Sequence, residues 1–141
     1  MAADAMDLNP DGPHSPESTA EAGQLFDDLS RFLVYATMGE KRGLEYPADA
    51  YRLIADIYSA TGRLPQACEQ IGRFLMAQGR RADAYEARGR NPAEQAAIGA
   101  ARLADAATAA HNLTRALHAA QTAIAGLGIR DDNGETGTDH G

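Results

Sequence analysis

Only one cysteine, Cys68, occurs among the 141 residues. A single thiol excludes an intramolecular disulfide and any zinc site built on cysteines. Lysine is equally scarce: Lys41 stands alone, so the positive charge is almost all arginine. No run of about 18 apolar residues is present, which removes the signature of a membrane-spanning helix. The first residues carry neither the basic nor the apolar stretch of a secretory leader. Together these absences lead to the expectation of a reducing, cytoplasmic setting. Alternating apolar and polar residues are missing too, so no strand is expected. There is no P-loop, no GxGxxG and no HExxH. In "DDNGETGTDHG" the acids miss positions 1, 3 and 5 of a calcium loop. The pattern therefore nominates no cofactor, no metal and no catalytic residue.

The net charge is −7, and it is unevenly spread. The first 28 residues hold seven acids and no Lys or Arg, and Asp131, Asp132, Glu135 and Asp139 cluster at the other end. Residues 1–14 and 129–141 have few bulky apolar side chains to offset chain entropy, so both are expected to be disordered acidic tails. Such tails favour solubility and repel nucleic acid. Residues 15–128 are then one helical domain, of a size that a single modest core can organise.

Four helical segments stand out in that domain. The first is expected over Ser18 to Met38, with Ser18 and Glu21 as a capping box and Pro16 ahead of the helix. Ala22, Leu25, Phe26, Leu29, Phe32, Leu33 and Ala36 form its apolar face. A second runs from Pro47 to Ala60, its face made by Ala50, Tyr51, Ile54, Ile57 and Tyr58. Asp49, Arg52 and Asp56 on its other side read as a solvated ion-pair ladder rather than an acid–base pair. The third, about Pro65 to Gln78, puts Cys68 inside the stripe Leu64, Ala67, Ile71, Phe74 and Leu75. With no histidine within forty residues to hold a thiolate, Cys68 reads as a core thiol.

"NPAE" at 91–94 opens the fourth and longest helix, expected to reach Gly128. Leu103, Ala110, Leu117 and Ile124 repeat every seven residues, as do Ala106, Leu113, Ala120 and Leu127. These are the a and d positions of a heptad and the candidate interface of the chain. Ala107, Ala109, Ala116 and Ala123 beside them make the apolar face broad, suited to more than one neighbouring helix. At about 50 Å this helix is more than twice as long as the second or third, so two short helices end to end, the first helix or another subunit must cover it. His111 and His118 lie seven residues apart, about 10 Å along the axis, too far to share one ion. Together with Asp105, Thr108, Asn112, Arg115 and Thr122 they read as a solvated face.

Between the third and fourth helices, "GRRADAYEARGRN" is a basic loop over residues 79–91 with a helical hint at Ala82 to Ala87. Arg80, Arg81, Arg88 and Arg90 are the candidate nucleic-acid contacts, although Asp83 and Glu86 within the loop favour a solvated connector.

The segment "RLPQACEQIGRFL" followed by the long alanine-rich helix resembles uncharacterised small helical proteins of actinobacteria. The resemblance spans residues 47–128 and implies an all-helical fold in a bacterial cytoplasm, with no assigned activity and no site residues. The expectation is thus an all-α, four-helix bundle-like single domain with one long C-terminal helix. Its expected role is non-enzymatic: a protein-interaction module that binds a partner protein or its own copy through the Ala/Leu helix face. The alternative is a small accessory regulator that touches nucleic acid through loop 79–91. Replacing His111 and His118 together with alanine should shift stability by no more than about 0.5 kcal/mol in a thermal melt; loss of a bound metal in that variant would contradict the solvated-face reading.

Overall fold

Each of the four α-helices has a proline in its first turn, where the missing N–H costs nothing and the fixed φ already suits a helix. They are α1 (Pro16–Ala36), α2 (Pro47–Thr61), α3 (Leu64–Gly79) and α4 (Pro92–Ile124). A 3-10 turn at Gly39–Lys41 and a two-residue antiparallel pairing of β1 (Ile129–Arg130) with β2 (Thr136–Gly137) complete the order. The computed structural model describes residues 6–130 and 136–137. The chain divides into two compact units, 1–45 and 46–141. The fold is all-α apart from the β1–β2 pairing, which the sequence pattern did not announce.

In the first unit α1 starts three residues earlier than expected. Ser15 is the N-cap: its hydroxyl accepts the Ser18 N–H at 3.0 Å, and the Ser18 hydroxyl accepts the Ser15 N–H at 3.0 Å. Serine at N3 thus plays the reciprocal part usually taken by glutamate, and Pro16 is the first helical residue. Past α1, Arg42 adopts a left-handed conformation (φ 55°), and Gly43 passes so close to the Ala36 carbonyl that a Cβ would collide with it. Residues 6–14, expected to be disordered, hold a turn in which Asp7 and Asn9 side chains accept the N–H groups of Asn9 and Asp11. Residues 1–5, and 131–135 and 138–141 of the other expected tail, lie outside the described residues. Helix α1 buries no residue; Leu25, Phe26, Leu29 and Phe32 of its apolar face are all exposed.

The second unit is a long helix lined by two short ones. Gly72 of α3 lies against Ala100, Gly79 against Ala93 and Ala96, and Thr61 bonds to Thr114. Rising numbers on α4 meet falling numbers on α3 and then α2, so both short helices run antiparallel to it, one after the other. The break between them is set by Pro65. It has no N–H to offer the Thr61 carbonyl four residues back, so the α-helical ladder cannot continue. Gly62 and Arg63 stay in the right-handed region through the break, and the Arg63 N–H reaches only to the Ala60 carbonyl. Thr61 and Pro65 are both buried. The register places them opposite Ala107, Ala110 and Thr114, and Ala107 and Ala110 are themselves buried, 4% and 8% exposed.

That junction is the tightest part of the unit. Among the described residues no large side chain is fully buried, because two layers of helix leave the bulky residues with one open side. Among the described residues no helix is long and apolar enough to cross a membrane. Two substitutions probe the packing. Ala110→Leu should cost about 1–3 kcal/mol by forcing the α2–α3 break away from α4. At Gly79 a Cβ would stand 2.5 Å from the Ala96 Cβ and 3.0 Å from the Pro92 carbonyl oxygen, so Gly79→Ala should also lower the melting temperature. Unchanged melting in both variants would contradict this packing.

Candidate functional site

Helix α4 begins as its sequence dictates, with the Asn91 side chain accepting the Glu94 N–H at 3.0 Å. It stops at Ile124, earlier than Gly128, which leaves Leu127 just past its end with its N–H on the Ile124 carbonyl. Along the helix, the residues turned towards α2 and α3 are Leu103, Ala107, Ala110, Thr114, Leu117, Gln121 and Ile124, each buried or half-buried. The inner line therefore takes one of the two expected heptad positions, Leu103, Ala110, Leu117 and Ile124. It pairs them with Ala107, Thr114 and Gln121, not with Ala106, Leu113, Ala120 and Leu127. The latter four are all exposed, Leu113 at 48% and Leu127 at 60%.

Polar residues account for the difference. Thr114 and Gln121 look solvent-facing in a binary reading, yet Thr114 donates its hydroxyl to the Thr61 hydroxyl at 2.8 Å, while Thr61 donates to the Tyr58 carbonyl at 3.2 Å. Each hydroxyl is thereby satisfied at the helix–helix contact, which removes the cost of turning it inward. The displaced line forms a second 3-4 seam with its neighbours. Ala106, Ala109, Leu113, Ala116, Ala120 and Ala123 run down α4 without a charged residue, and every one is exposed. At the N-terminal end of this seam Arg102 pairs with Asp105 at 2.7 Å.

The candidate chemical groups do not converge. Cys68 is half-buried on the α4-facing side of α3 rather than fully enclosed. The His118 ring packs against Tyr58 with centroids 5.2 Å apart, a contact that the solvated-face reading missed. Asp49 accepts the Tyr46 N–H at 2.8 Å and so caps α2. Among the described residues no three His, Cys, Asp or Glu side chains gather as a metal site. A groove of about 420 Å³ between α3 and α4 has Gly72, Ala100 and Ala104 at its small-residue side, with Glu69, Arg73, Met76 and Arg80 around it. It is shallow and mixed in charge.

Loop 79–91 is folded by its own carboxylates, and the helical hint at Ala82 to Ala87 resolves into turns. Asp83 grips Arg81 through two bonds of 2.8 Å. Glu86 accepts from the Arg90 guanidinium at 3.0 Å and from the N–H groups of Arg88 and Arg90 at 2.9 and 2.8 Å. The guanidiniums hold both carboxyls below their ordinary pKa: Arg81 acts on Asp83 and Arg90 on Glu86. Gly89, at φ 81°, closes the turn that lets Glu86 reach both N–H groups. Of the four candidate nucleic-acid contacts, Arg81 and Arg90 are thus engaged within the loop.

Two signals for the open seam were present in the sequence: the breadth of the alanine face, and the polar residues at 114 and 121 that could bond across a helix contact. Compared with known proteins, the chain matches no protein-family profile, no curated sequence and no solved structure.

Proposed function

We propose that the chain is a non-enzymatic protein-interaction module whose working surface is the exposed Ala/Leu seam of α4. One observation carries the reading. Helix α4 has two apolar seams, and only one is needed to hold α2 and α3. Alanine is a strong helix former and needs no apolar neighbour, so alanine alone would be unremarkable on a wet surface. Leu113 in the same line, with no charged residue at any of its six positions, is what a helix–helix contact requires. The exposed apolar line of α1, Leu25, Phe26, Leu29 and Phe32, gives the chain a second surface of the same kind.

The alternative, a regulator touching nucleic acid through Arg80, Arg81, Arg88 and Arg90, loses support from the loop's own ion pairs, which engage Arg81 and Arg90. The cytoplasmic setting stays part of the proposal, as does the absence of a catalytic role.

The test is a charged seam. Leu113→Glu combined with Ala120→Glu should leave the dilute protein folded, with stability changed by no more than about 0.5 kcal/mol, because both positions face water. The same variant should abolish association. A large loss of melting temperature in dilute solution would show that the seam belongs to the core of the chain and would overturn the proposal.

A further inference from the structure

We infer that the exposed apolar face of α1 is a docking surface for a cationic amphipathic helix, a partner segment whose apolar residues are edged by Lys or Arg. The inference rests on the interaction reading of the chain but on a different helix from the seam of α4, and it adds the charge of the partner.

The face is open only in its middle. Towards its start, residues 6–14 fold back beside Ser18, Thr19 and Ala22, with a cleft of about 200 Å³ between them. Past its end, Gly43 returns to the Ala36 carbonyl. Between these limits Leu25, Phe26, Leu29 and Phe32 are exposed, Leu29 at 53% and Phe32 at 66%. Leu25, Leu29 and Phe32 stand at i, i+4 and i+7, the anchor spacing of helix recognition. They extend about 10 Å along the axis. Single exposed apolar residues are ordinary, whereas large ones gathered on one helix face mark an interaction surface.

Charge decides what covers it. On a helical projection Glu17, Glu21 and Asp28 fall within an arc of about 40° along one edge of the face. Thr19, Gly23 and Ser30 make the other edge, which carries no charge. Glu17 lies in the first turn, where the helix dipole alone accounts for an acid. Glu21 and Asp28 lie beyond it. Arg31, the one cation of α1, is turned further from the apolar face and shared between Asp27 at 3.5 Å and Asp28 at 3.8 Å. Across residues 1–45 nine acids stand against three cations, so the field over the patch is negative.

A second copy does not balance this field. Laid antiparallel, it brings Asp28 beside Asp28; laid parallel, it sets the acids against the uncharged edge. Neither arrangement supplies a cation. An anionic bilayer and nucleic acid are repelled for the same reason. Lys or Arg along the edge of a partner helix pairs with Glu21 and Asp28 while its apolar face covers the leucines and phenylalanines. On so short a footprint the contact is transient, and it weakens as salt rises.

The test is a titration of the full-length chain into a fluorescent leucine/lysine amphipathic peptide, followed by anisotropy. The peptide should bind at one site, and a leucine/glutamate peptide of the same pattern should not bind. Glu21→Gln combined with Asp28→Asn should weaken binding about fivefold or more. The same loss of charge elsewhere, Asp56→Asn with Glu69→Gln, should leave it unchanged. Leu29→Ala should weaken it as well. Leu113→Glu with Ala120→Glu should leave it unchanged, so the seam of α4 and this surface stand or fall separately. No binding of the lysine peptide, equal binding of both peptides, or equal weakening by the two charge-neutralised variants would overturn the inference. Binding to phosphatidylglycerol vesicles would mean a membrane occupant and overturn it too.

Discussion

The second unit depends on one contact, the seating of the α2–α3 break on the small-residue stretch of α4. Pro65 forces the break, and Gly62 and Arg63 carry the chain through it in the right-handed region. Ala107 and Ala110 are short enough for the turn to sit down on the long helix. The Thr61–Thr114 hydrogen bond fixes the register at that point and contributes roughly 0.5–1.5 kcal/mol. From there α3 runs along the first half of α4 and α2 along the second. Moving the break by one residue would rotate both short helices off the apolar line.

The same contact explains what is left open. With α2 and α3 end to end rather than side by side, α4 receives cover from one direction only. An arc of about 100° suffices for that cover. The next arc, Ala106 to Ala123, is equally apolar and has nothing on it within the unit. The proposed role as an interaction module follows from this surplus of apolar surface.

Much of this was legible in the sequence. The helix starts at Pro47 and at Asn91–Pro92 and the broad apolar face of the long helix come from local signals: prolines, caps and period; its end-to-end cover was one of three arrangements that its length left open. What escaped was decided by tertiary partners. Thr114 turns inward because the Thr61 hydroxyl waits there to accept its bond, which periodicity does not encode. By pattern Ser18 reads as the cap of α1, because Glu21 completes the commoner capping box, while the cap itself is Ser15. The apolar line of α1 reads as core by period, but period cannot say whether a neighbour exists. In loop 79–91 the arginines were visible, whereas their capture by Asp83 and Glu86 needed the turn at Gly89.

The central claim is that α4 carries two apolar seams, one committed to the fold and one free. The most direct measurement compares Leu117→Ala with Leu113→Ala by thermal or denaturant unfolding in dilute solution. Leu117 lies on the inner line, and its truncation should cost about 2 kcal/mol or somewhat more. Leu113 lies on the outer line, and its truncation should cost well under about 1 kcal/mol. Equal losses at the two positions would mean that both seams are core, and the account would fail.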